Sequence, residues 1–340
     1  MSRGRSVRVA LTSTTSSPAT VPTCGPSGPR KVTSLMALSF ELGAGGRLEP
    51  AGGDGARSGC HAQPPGALLR IGVGAGRTAF SSRSTTVAVV QRARKGSRRR
   101  RPGGGMSAPV CVTVDHLRGP GDDRMLDVLD RHGLHTTFFV EGEHAASHPG
   151  RVAEVVARGH EVGLHGWAHE AWADLDQATV HELLARGVDA LAAAAGGPPR
   201  GFRAPGGERG VHTAALLAER GIDYDASLGD GRTPRVLPDG VVSLPFVWGH
   251  VDGAHYLRPE PAGPAEVESR WLGTLDRAVA DAEPVVFVVH AHVSCLDDER
   301  LGVLDRLLAR VASDDRLEPV QMSELARRVR LAATPSTRVL

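Results

Sequence analysis

The sequence predicts an α/β fold in which about seven strand–helix units close into one barrel over residues 106–335. Short apolar runs alternate with longer amphipathic runs, a pattern that is typical of a parallel sheet covered by helices. Residues 285–289 are apolar throughout, as expected of a strand that is buried on both faces. About seven such units in about 230 residues fit a single barrel better than an open sheet.

The strands are predicted from short apolar runs. In chain order they cover residues 110–115, 136–140, 161–164, 201–202, 222–225, 241–246, 285–289 and 317–320. Five of these runs end on, or directly precede, a residue able to do chemistry, namely Asp115, His165, Arg203, Asp225 and His290. Because the carboxyl ends of parallel strands meet at one rim, we expect these side chains to share a pocket.

The helices are predicted from apolar residues that recur every three or four positions. In chain order they cover residues 122–131, 151–158, 178–194, 212–220, 265–280, 298–311 and 323–330. Several of them stop at a glycine, such as Gly133, Gly159 and Gly221, which is a common helix terminator. Strands and helices therefore alternate along most of this region.

Residues 1–105 differ from the rest in charge and pattern. They hold 17 Lys and Arg against 3 Asp and Glu, whereas residues 106–340 hold 23 Arg and 35 Asp and Glu. The first region lacks sustained periodicity and is predicted to be a disordered basic leader, or translated sequence upstream of a true start at Met106. The basic run at 98–101 leaves a role with nucleic acid or anionic lipid open, although no nucleic-acid partner is expected.

The sequence gives limited information about cellular location. No apolar run approaches the roughly 18 residues of a membrane span, and no secretory signal is convincing, so a cytoplasmic location is predicted. The four cysteines, Cys24, Cys60, Cys111 and Cys295, show neither metal nor disulfide spacing. Cys111 and Cys295 fall in or beside predicted strands and are expected to be small buried hydrophobic residues. The oligomeric state is not indicated.

His165 and His169 form a candidate metal site, since a spacing of four residues lets two imidazoles converge on one ion. Asp115 could be a general base that activates water, and the adjacent His116 could supply a third ligand. The alternative for this pair is that Asp115 caps the turn after the first strand and His116 is solvated. Trp167, between the two histidines of the candidate site, could contact a substrate.

Three further positions could complete a catalytic site. Arg203 could orient a carboxylate by charge, and the Pro205-Gly206 turn after it could offer backbone N–H groups to an oxyanion. Asp225 could hydrogen-bond a catalytic imidazole or the arginine. His290 follows the apolar strand and could act as a general acid, while His292 alternates with it and is expected to face the opposite side.

Five segments, in order, together resemble the polysaccharide deacetylase family of the NodB-homology type of carbohydrate esterase. The resemblance runs from about residue 110 to about residue 331. Val-Thr-Val-Asp-His at 112–116 resembles the family's Thr-Phe-Asp-Asp block, and His-Gly-Trp-Ala-His at 165–169 its His-Ser/Thr-x-x-His block. The remaining matches are Arg-Ala-Pro-Gly-Gly at 203–207, Tyr-Asp-Ala-Ser-Leu at 224–228 and Val-Val-His at 288–290.

The resemblance implies a distorted (β/α)₇ barrel that hydrolyses an acetamide or a related carbon–nitrogen bond. Asp115 matches the base and His290 the acid, Arg203 the residue that orients the base, and Asp225 a supporting partner. His165 and His169 match ligands of a divalent metal, usually zinc-like, that polarises the carbonyl.

One departure from the family pattern concerns the metal. His116 replaces the family's second aspartate, and three histidines still form an accepted zinc set. The implied substrate is an N-acetylated sugar or polysaccharide. Two alternatives stay open: a metal-independent, allantoinase-like hydrolase of small amides, and a catalytically inactive carbohydrate-binding module.

Overall fold

The computed structural model describes residues 107–117, 119, 121–229 and 233–334. The predicted basic leader, its arginine run at 98–101, and Cys24 and Cys60 lie outside the described residues. Cys111 and Cys295 are both buried free thiols, as the sequence predicts.

The described strands form one curled sheet. In chain order they are β1 (Ala108–Asp115), β2 (Thr137–Val140), β3 (Glu161–Leu164), β4 (Gly201–Phe202), β5 (Tyr224–Asp225), β6 (Arg235–Val236), β7 (Val242–Ser243), β8 (Val285–His290) and β9 (Leu317–Pro319). Their spatial order is β6-β7-β5-β4-β3-β2-β1-β8, and β9 pairs with the start of β1. All pairs are parallel except β6 with β7, which the sequence analysis did not predict.

The helices cover the outside of this sheet. In chain order they are α1 (Asp122–His132), α2 (Gly142–Ser147), α3 (Pro149–Ala157), α4 (Gln177–Ala195), α5 (Thr213–Glu219), α6 (Asp252–Tyr256), α7 (Pro264–Asp281), α8 (Ala291–Ser294), α9 (Asp298–Ser313) and α10 (Met322–Ala333). The seven predicted helices correspond to α1, α3, α4, α5, α7, α9 and α10. Among the described helices, none is both long and apolar enough to cross a membrane.

Two apolar layers explain the curl. The larger core packs the outer face of the sheet, through residues such as Val112 and Phe287, against the surrounding helices. The smaller core joins inward side chains of distant strands, including Cys111, Tyr224 and Val288. Strands that lie this far apart in the sheet order can share one core only if the sheet bends around it. The predicted distorted barrel is therefore confirmed.

Helix α10 closes the amino-terminal end of the barrel. Its Met322 joins the inner core, and its first backbone N–H groups donate to Thr137 at the start of β2 and Glu161 at the start of β3. Because this end is covered, a ligand must enter at the opposite end, where the strands finish. The predicted reactive residues lie at that rim.

Candidate active site

Asp115 and His290 face each other across two neighbouring strands. Asp115 is the last residue of β1, His290 is the last residue of β8, and their Cα atoms are paired in the parallel register. Adjacent strands lie about 4.8 Å apart, so the carboxylate and the imidazole border the same small space. Residues 175 positions apart in the chain thus meet at one pocket mouth.

Three imidazoles converge beside this pair. Nitrogen atoms of His116, His165 and His169 all lie within 4.8 Å of one another. The ring centroids are 5.1 Å apart for His116 and His165, and 5.0 Å apart for His116 and His169. This cluster is the one that the sequence predicted as a metal site, including its third member.

Hydrogen bonds fix how two of these rings are turned. Nδ1 of His165 lies 2.9 Å from the Arg203 carbonyl oxygen, to which it donates. Nδ1 of His116 contacts the buried carboxylate of Glu141, the residue that follows β2. Each bond places the proton on Nδ1 and leaves the lone pair of Nε2 for a metal, as is usual for metal-binding histidines. Burial lowers the pKa of His165 to about 3, so this ring is neutral at physiological pH.

The backbone is strained at the same cluster. His116 has φ 71° and His169 has φ 67°, which are left-handed values that few residues other than glycine adopt. Such conformations cost on the order of 1 kcal/mol and concentrate at functional sites. Here they direct two imidazoles toward a common point.

Arg203 holds the carboxylate of Asp115. Its guanidinium is fully buried, donates to Asp115 at 2.6 Å and to Thr113 at 2.8 Å, and lies 4.2 Å from the centre of the Phe139 ring. Burial alone would raise the pKa of Asp115, but Arg203 and the neighbouring histidines outweigh it, so the pKa of Asp115 is lowered. The carboxylate is therefore ionised and able to accept a proton.

Asp225 supports Arg203 indirectly. Its carboxylate accepts hydrogen bonds from the hydroxyl and backbone N–H of Ser227 and pairs with Arg209. These contacts fix the turn in which the Ala226 carbonyl accepts the Nε–H of Arg203 at 2.9 Å. The predicted direct bond to an imidazole or to Arg203 is replaced by this backbone link.

His290 is oriented by Asp252, to which sequence reasoning gave no role. Nδ1 of His290 donates to Asp252 at 2.6 Å, and the backbone N–H of His290 donates to the other carboxylate oxygen at 2.7 Å. Burial would lower the pKa of His290, but the buried carboxylate of Asp252 outweighs it, so the pKa is raised. The ring can therefore carry a proton on Nε2 for donation. The sequence offered only one signal, the position of Asp252 between His250 and His255.

The expectation for His292 is wrong. Its ring centroid lies 5.5 Å from that of His290 and 5.7 Å from that of His116, on the same side of the sheet. The alternation of strand side chains stops at His290 because α8 begins at Ala291. A fourth imidazole, which is exposed to solvent, therefore borders the cluster.

The three residues predicted to contact a substrate, Trp167, Pro205 and Gly206, lie in three different environments. Trp167 packs against the start of α2, where a Cβ on Gly142 would lie 2.8 Å from the indole, and the Arg186 guanidinium lies 4.1 Å from its ring centre. Its indole is thus occupied by helix packing. Pro205 packs against Gly166, whereas Gly206 is exposed in a left-handed turn with open space around it.

An aromatic cavity of about 540 Å³ lies beside Phe246, which is in contact with both the cavity and the predicted site residue Arg203. Leu228, Phe246 and Trp248 line it, and the Phe246 ring lies 5.3 Å from the Arg203 guanidinium. Trp248 is 49% exposed, while Trp172 and Tyr256 are buried. Trp248 is therefore the aromatic residue best placed to meet a ligand.

An ionised carboxylate, a proton-bearing histidine and three metal-competent imidazoles around one space are typical of hydrolytic enzymes that activate water. Residues 105–224 match the family model for polysaccharide deacetylase. The chain is 30% identical to a Mycobacterium smegmatis protein whose crystal structure is described as a polysaccharide deacetylase, and covers 92% of that chain with a TM-score of 0.60. The chain belongs to the polysaccharide deacetylase family.

Curated relatives match over shorter segments. A peptidoglycan deacetylase-like protein of Gibberella zeae is 29% identical over 143 residues, which are 42% of each chain. The peptidoglycan deacetylase of Helicobacter pylori is 29% identical over 126 residues, 37% of this chain and 43% of the relative. The chain thus spans less than half the length of these relatives. The PuuE allantoinase structure, at 18% identity and a TM-score of 0.60, shares the fold.

Proposed function

We propose that the protein is an N-deacetylase that removes the acetyl group from an N-acetylated sugar or polysaccharide. The observation that carries this proposal is the registered pairing of Asp115 and His290 at the ends of β1 and β8, beside three converging imidazoles. Residues 106–335 would form the catalytic domain. The names of the relatives support an N-acetylated glycan as substrate.

The three imidazoles fit a divalent metal, of which zinc is the best match. His116, His165 and His169 offer a neutral three-nitrogen set of the kind that catalytic zinc sites use. When bound there, zinc would polarise the amide carbonyl and acidify a water molecule. Glu141 supports the fit because ligand histidines commonly bond a carboxylate through their second nitrogen.

Hydrolysis requires one base and one acid, and the site provides both. Asp115 accepts a proton from water as the water oxygen bonds to the carbonyl carbon. Arg203 keeps the Asp115 carboxylate in place and ionised before the reaction. His290 then gives its Nε2 proton to the amide nitrogen as the C–N bond breaks, which releases acetate and the free amine.

The two alternatives make different demands on the site. A small-amide hydrolase without a metal would use Asp115 and His290 but would work after complete chelation. An inactive sugar-binding module has no need of the buried Asp115–Arg203 and His290–Asp252 pairs, both of which are retained. These pairs favour catalysis.

The test is acetate release from chitotetraose by the full chain, with and without added zinc. We expect Asp115→Asn and His290→Ala each to lower kcat by about 100-fold or more, because each removes one proton-transfer group. Asp127→Asn, a matched change on the outer face of α1, should leave activity unchanged. Circular dichroism and zinc binding would show that each variant is folded.

Two results would overturn parts of this proposal. Full activity of folded Asp115→Asn or His290→Ala would rule out the mechanism. Full activity after exhaustive chelation would rule out the metal. The small-amide alternative would then be tested with a ureide substrate, by following loss of the ureide, because that hydrolysis releases no acetate.

A further inference from the structure

A second cavity lies beside the aromatic one. It has a volume of about 290 Å³ and lies between the turn Trp248–His250 and helix α7. Both cavities are lined by Gly249 and His250, so the two spaces adjoin. The same stretch leads two residues later to Asp252, which holds His290. The second cavity is therefore connected to the catalytic rim through one short segment.

The lining of this second cavity is basic. Arg270 and Arg277 lie on α7 with Ser269 and Thr274, and His255 lies opposite. No aspartate or glutamate is among the described residues that line it. The lining thus carries two guanidinium charges and the Ser269 hydroxyl, while the Thr274 hydroxyl and the His255 ring are bonded to the carbonyl oxygens of Arg270 and Gly249.

Arg277 is the residue that singles this cavity out. Arg270 pairs with Glu266 one turn earlier on α7, as most described arginines pair with a carboxylate. Arg277 instead donates to the Thr274 hydroxyl at 2.9 Å, and within the described parts of the chain no carboxylate pairs with it. An exposed guanidinium that lines a recess and has no carboxylate partner is suited to bind an anion.

We propose that this cavity is a subsite for an anionic substituent, a carboxylate or a phosphate, on the glycan chain whose N-acetyl group occupies the catalytic pocket. This inference rests on the proposed deacetylase function. The exposed Trp248, which lines the aromatic cavity directly before the shared Gly249, would stack on a sugar ring, and Arg277 would bind the charged group of the neighbouring sugar. The preferred substrate is then an acidic N-acetylated glycan rather than a neutral one.

The test compares three tetrasaccharides with the zinc-loaded full chain. They are chitotetraose, the alternating tetrasaccharide of N-acetylglucosamine and N-acetylmuramic acid, and chitotetraose phosphorylated at a 6-hydroxyl. Each is measured with the parent protein, with Arg277→Gln, and with Arg327→Gln, a matched charge removal on α10 at the opposite end of the barrel. Acetate release gives kcat and KM, and tryptophan fluorescence gives Kd.

We expect Arg277→Gln to raise KM and Kd for at least one acidic tetrasaccharide by about tenfold, with kcat and all chitotetraose values unchanged. The glycan that shows the loss identifies the anion as carboxylate or phosphate. Arg327→Gln should change none of these values. Added salt should weaken binding of the acidic glycan to the parent protein and have little effect on Arg277→Gln.

Two outcomes would overturn the subsite. They are equal binding of acidic and neutral tetrasaccharides by the parent protein, and equal effects of the two arginine changes. If no glycan releases acetate, the deacetylase proposal fails, while the fluorescence titrations still test whether Arg277 binds acidic glycans. The two failures are thus distinguishable.

Discussion

Asp252 determines the behaviour of His290 although its own carboxylate takes no part in the chemistry. It is fully buried and accepts hydrogen bonds from the ring and backbone of His290, and from the Ser294 hydroxyl at 2.7 Å. A buried carboxylate in this position stabilises the protonated ring and fixes which nitrogen faces the pocket. In the proposed mechanism the proton donor is therefore a pair of residues, His290 and Asp252, rather than one.

Replacing Asp252 with Asn should lower kcat by about 100-fold or more. The amide cannot stabilise the imidazolium and can favour the wrong tautomer of His290. Ser294→Ala, which removes one hydrogen bond but keeps the carboxylate, should lower kcat by less than about tenfold. Acetate-release kinetics at saturating glycan measure both effects, and equal effects of the two changes would argue against the role of the charge.

At the scale of single residues, local pattern revealed the groups that act and missed the groups that hold them. Asp115, Arg203 and His290 were predictable because each follows an apolar strand. Asp252 was not, because it contacts a histidine that is 38 residues away and no spacing rule links the two. Glu141 directly follows the apolar strand β2 and so carried the same signal as Asp115, but the sequence analysis gave it no role. His292 was misplaced because the end of β8 cannot be read from alternation alone.

At the scale of elements, the short strands β3, β4 and β5 pack closely through glycine. A Cβ on Gly163 would lie 2.7 Å from the Phe139 ring, and a Cβ on Gly201 would lie 2.0 Å from Cζ of Tyr224. Tyr224 cannot move away easily, since it is fully buried and its hydroxyl donates to Glu161 at 2.8 Å. The sheet can curl this tightly because these positions lack side chains.

Gly201→Ala should therefore lower the free energy of unfolding by about 3 kcal/mol, the cost of overpacking a rigid core. Gly197→Ala is the matched control, because nothing lies within 4 Å of a Cβ at that position, and it should change stability by less than about 1 kcal/mol. Urea denaturation of both variants gives the two values. Similar stabilities would mean that the contact with Tyr224 relaxes at little cost.

At this scale, the sequence predicted the long helices and missed the short ones. Long helices such as α4 and α9 show clear periodicity, and each begins at an aspartate whose side chain caps the first turn, Asp176 and Asp297 respectively. Helices α2, α6 and α8 span four to six residues, too few for a periodic signal. Helix α6 carries Asp252 and helix α8 carries His292. The helices that the sequence analysis missed therefore contain two of the residues that it also missed or misplaced.

At the scale of the whole molecule, histidines lie at both ends of the barrel. Those at the open rim bear on the proposed chemistry, whereas His160, at the closed end, bears on stability. At the closed end, His160 is buried beside Phe138 and accepts the backbone N–H of Thr136 through Nδ1 at 3.2 Å. Burial lowers its pKa to about 4 from an ordinary value of 6.5. This histidine lies away from the catalytic rim, so its protonation bears on stability and not directly on chemistry.

His160 should make the protein less stable in mild acid. Between pH 6.5 and pH 4 the unfolded chain binds a proton at this residue that the folded chain does not, so stability is complete above pH 6.5 and falls as the pH decreases toward 4. Between pH 7.5 and pH 5 this residue should lower the free energy of unfolding by about 2 kcal/mol.

His160→Asn keeps a hydrogen-bond acceptor near Thr136 but cannot titrate in this range. Urea denaturation at the two pH values should thus show a loss smaller by about 2 kcal/mol in His160→Asn than in the parent protein. His148→Asn, a matched change at an exposed histidine on the outside, should behave as the parent does. If His160→Asn lost as much stability in acid as the parent, the acid sensitivity would have to come from other groups, of which the buried His165 at the catalytic rim is the first to test.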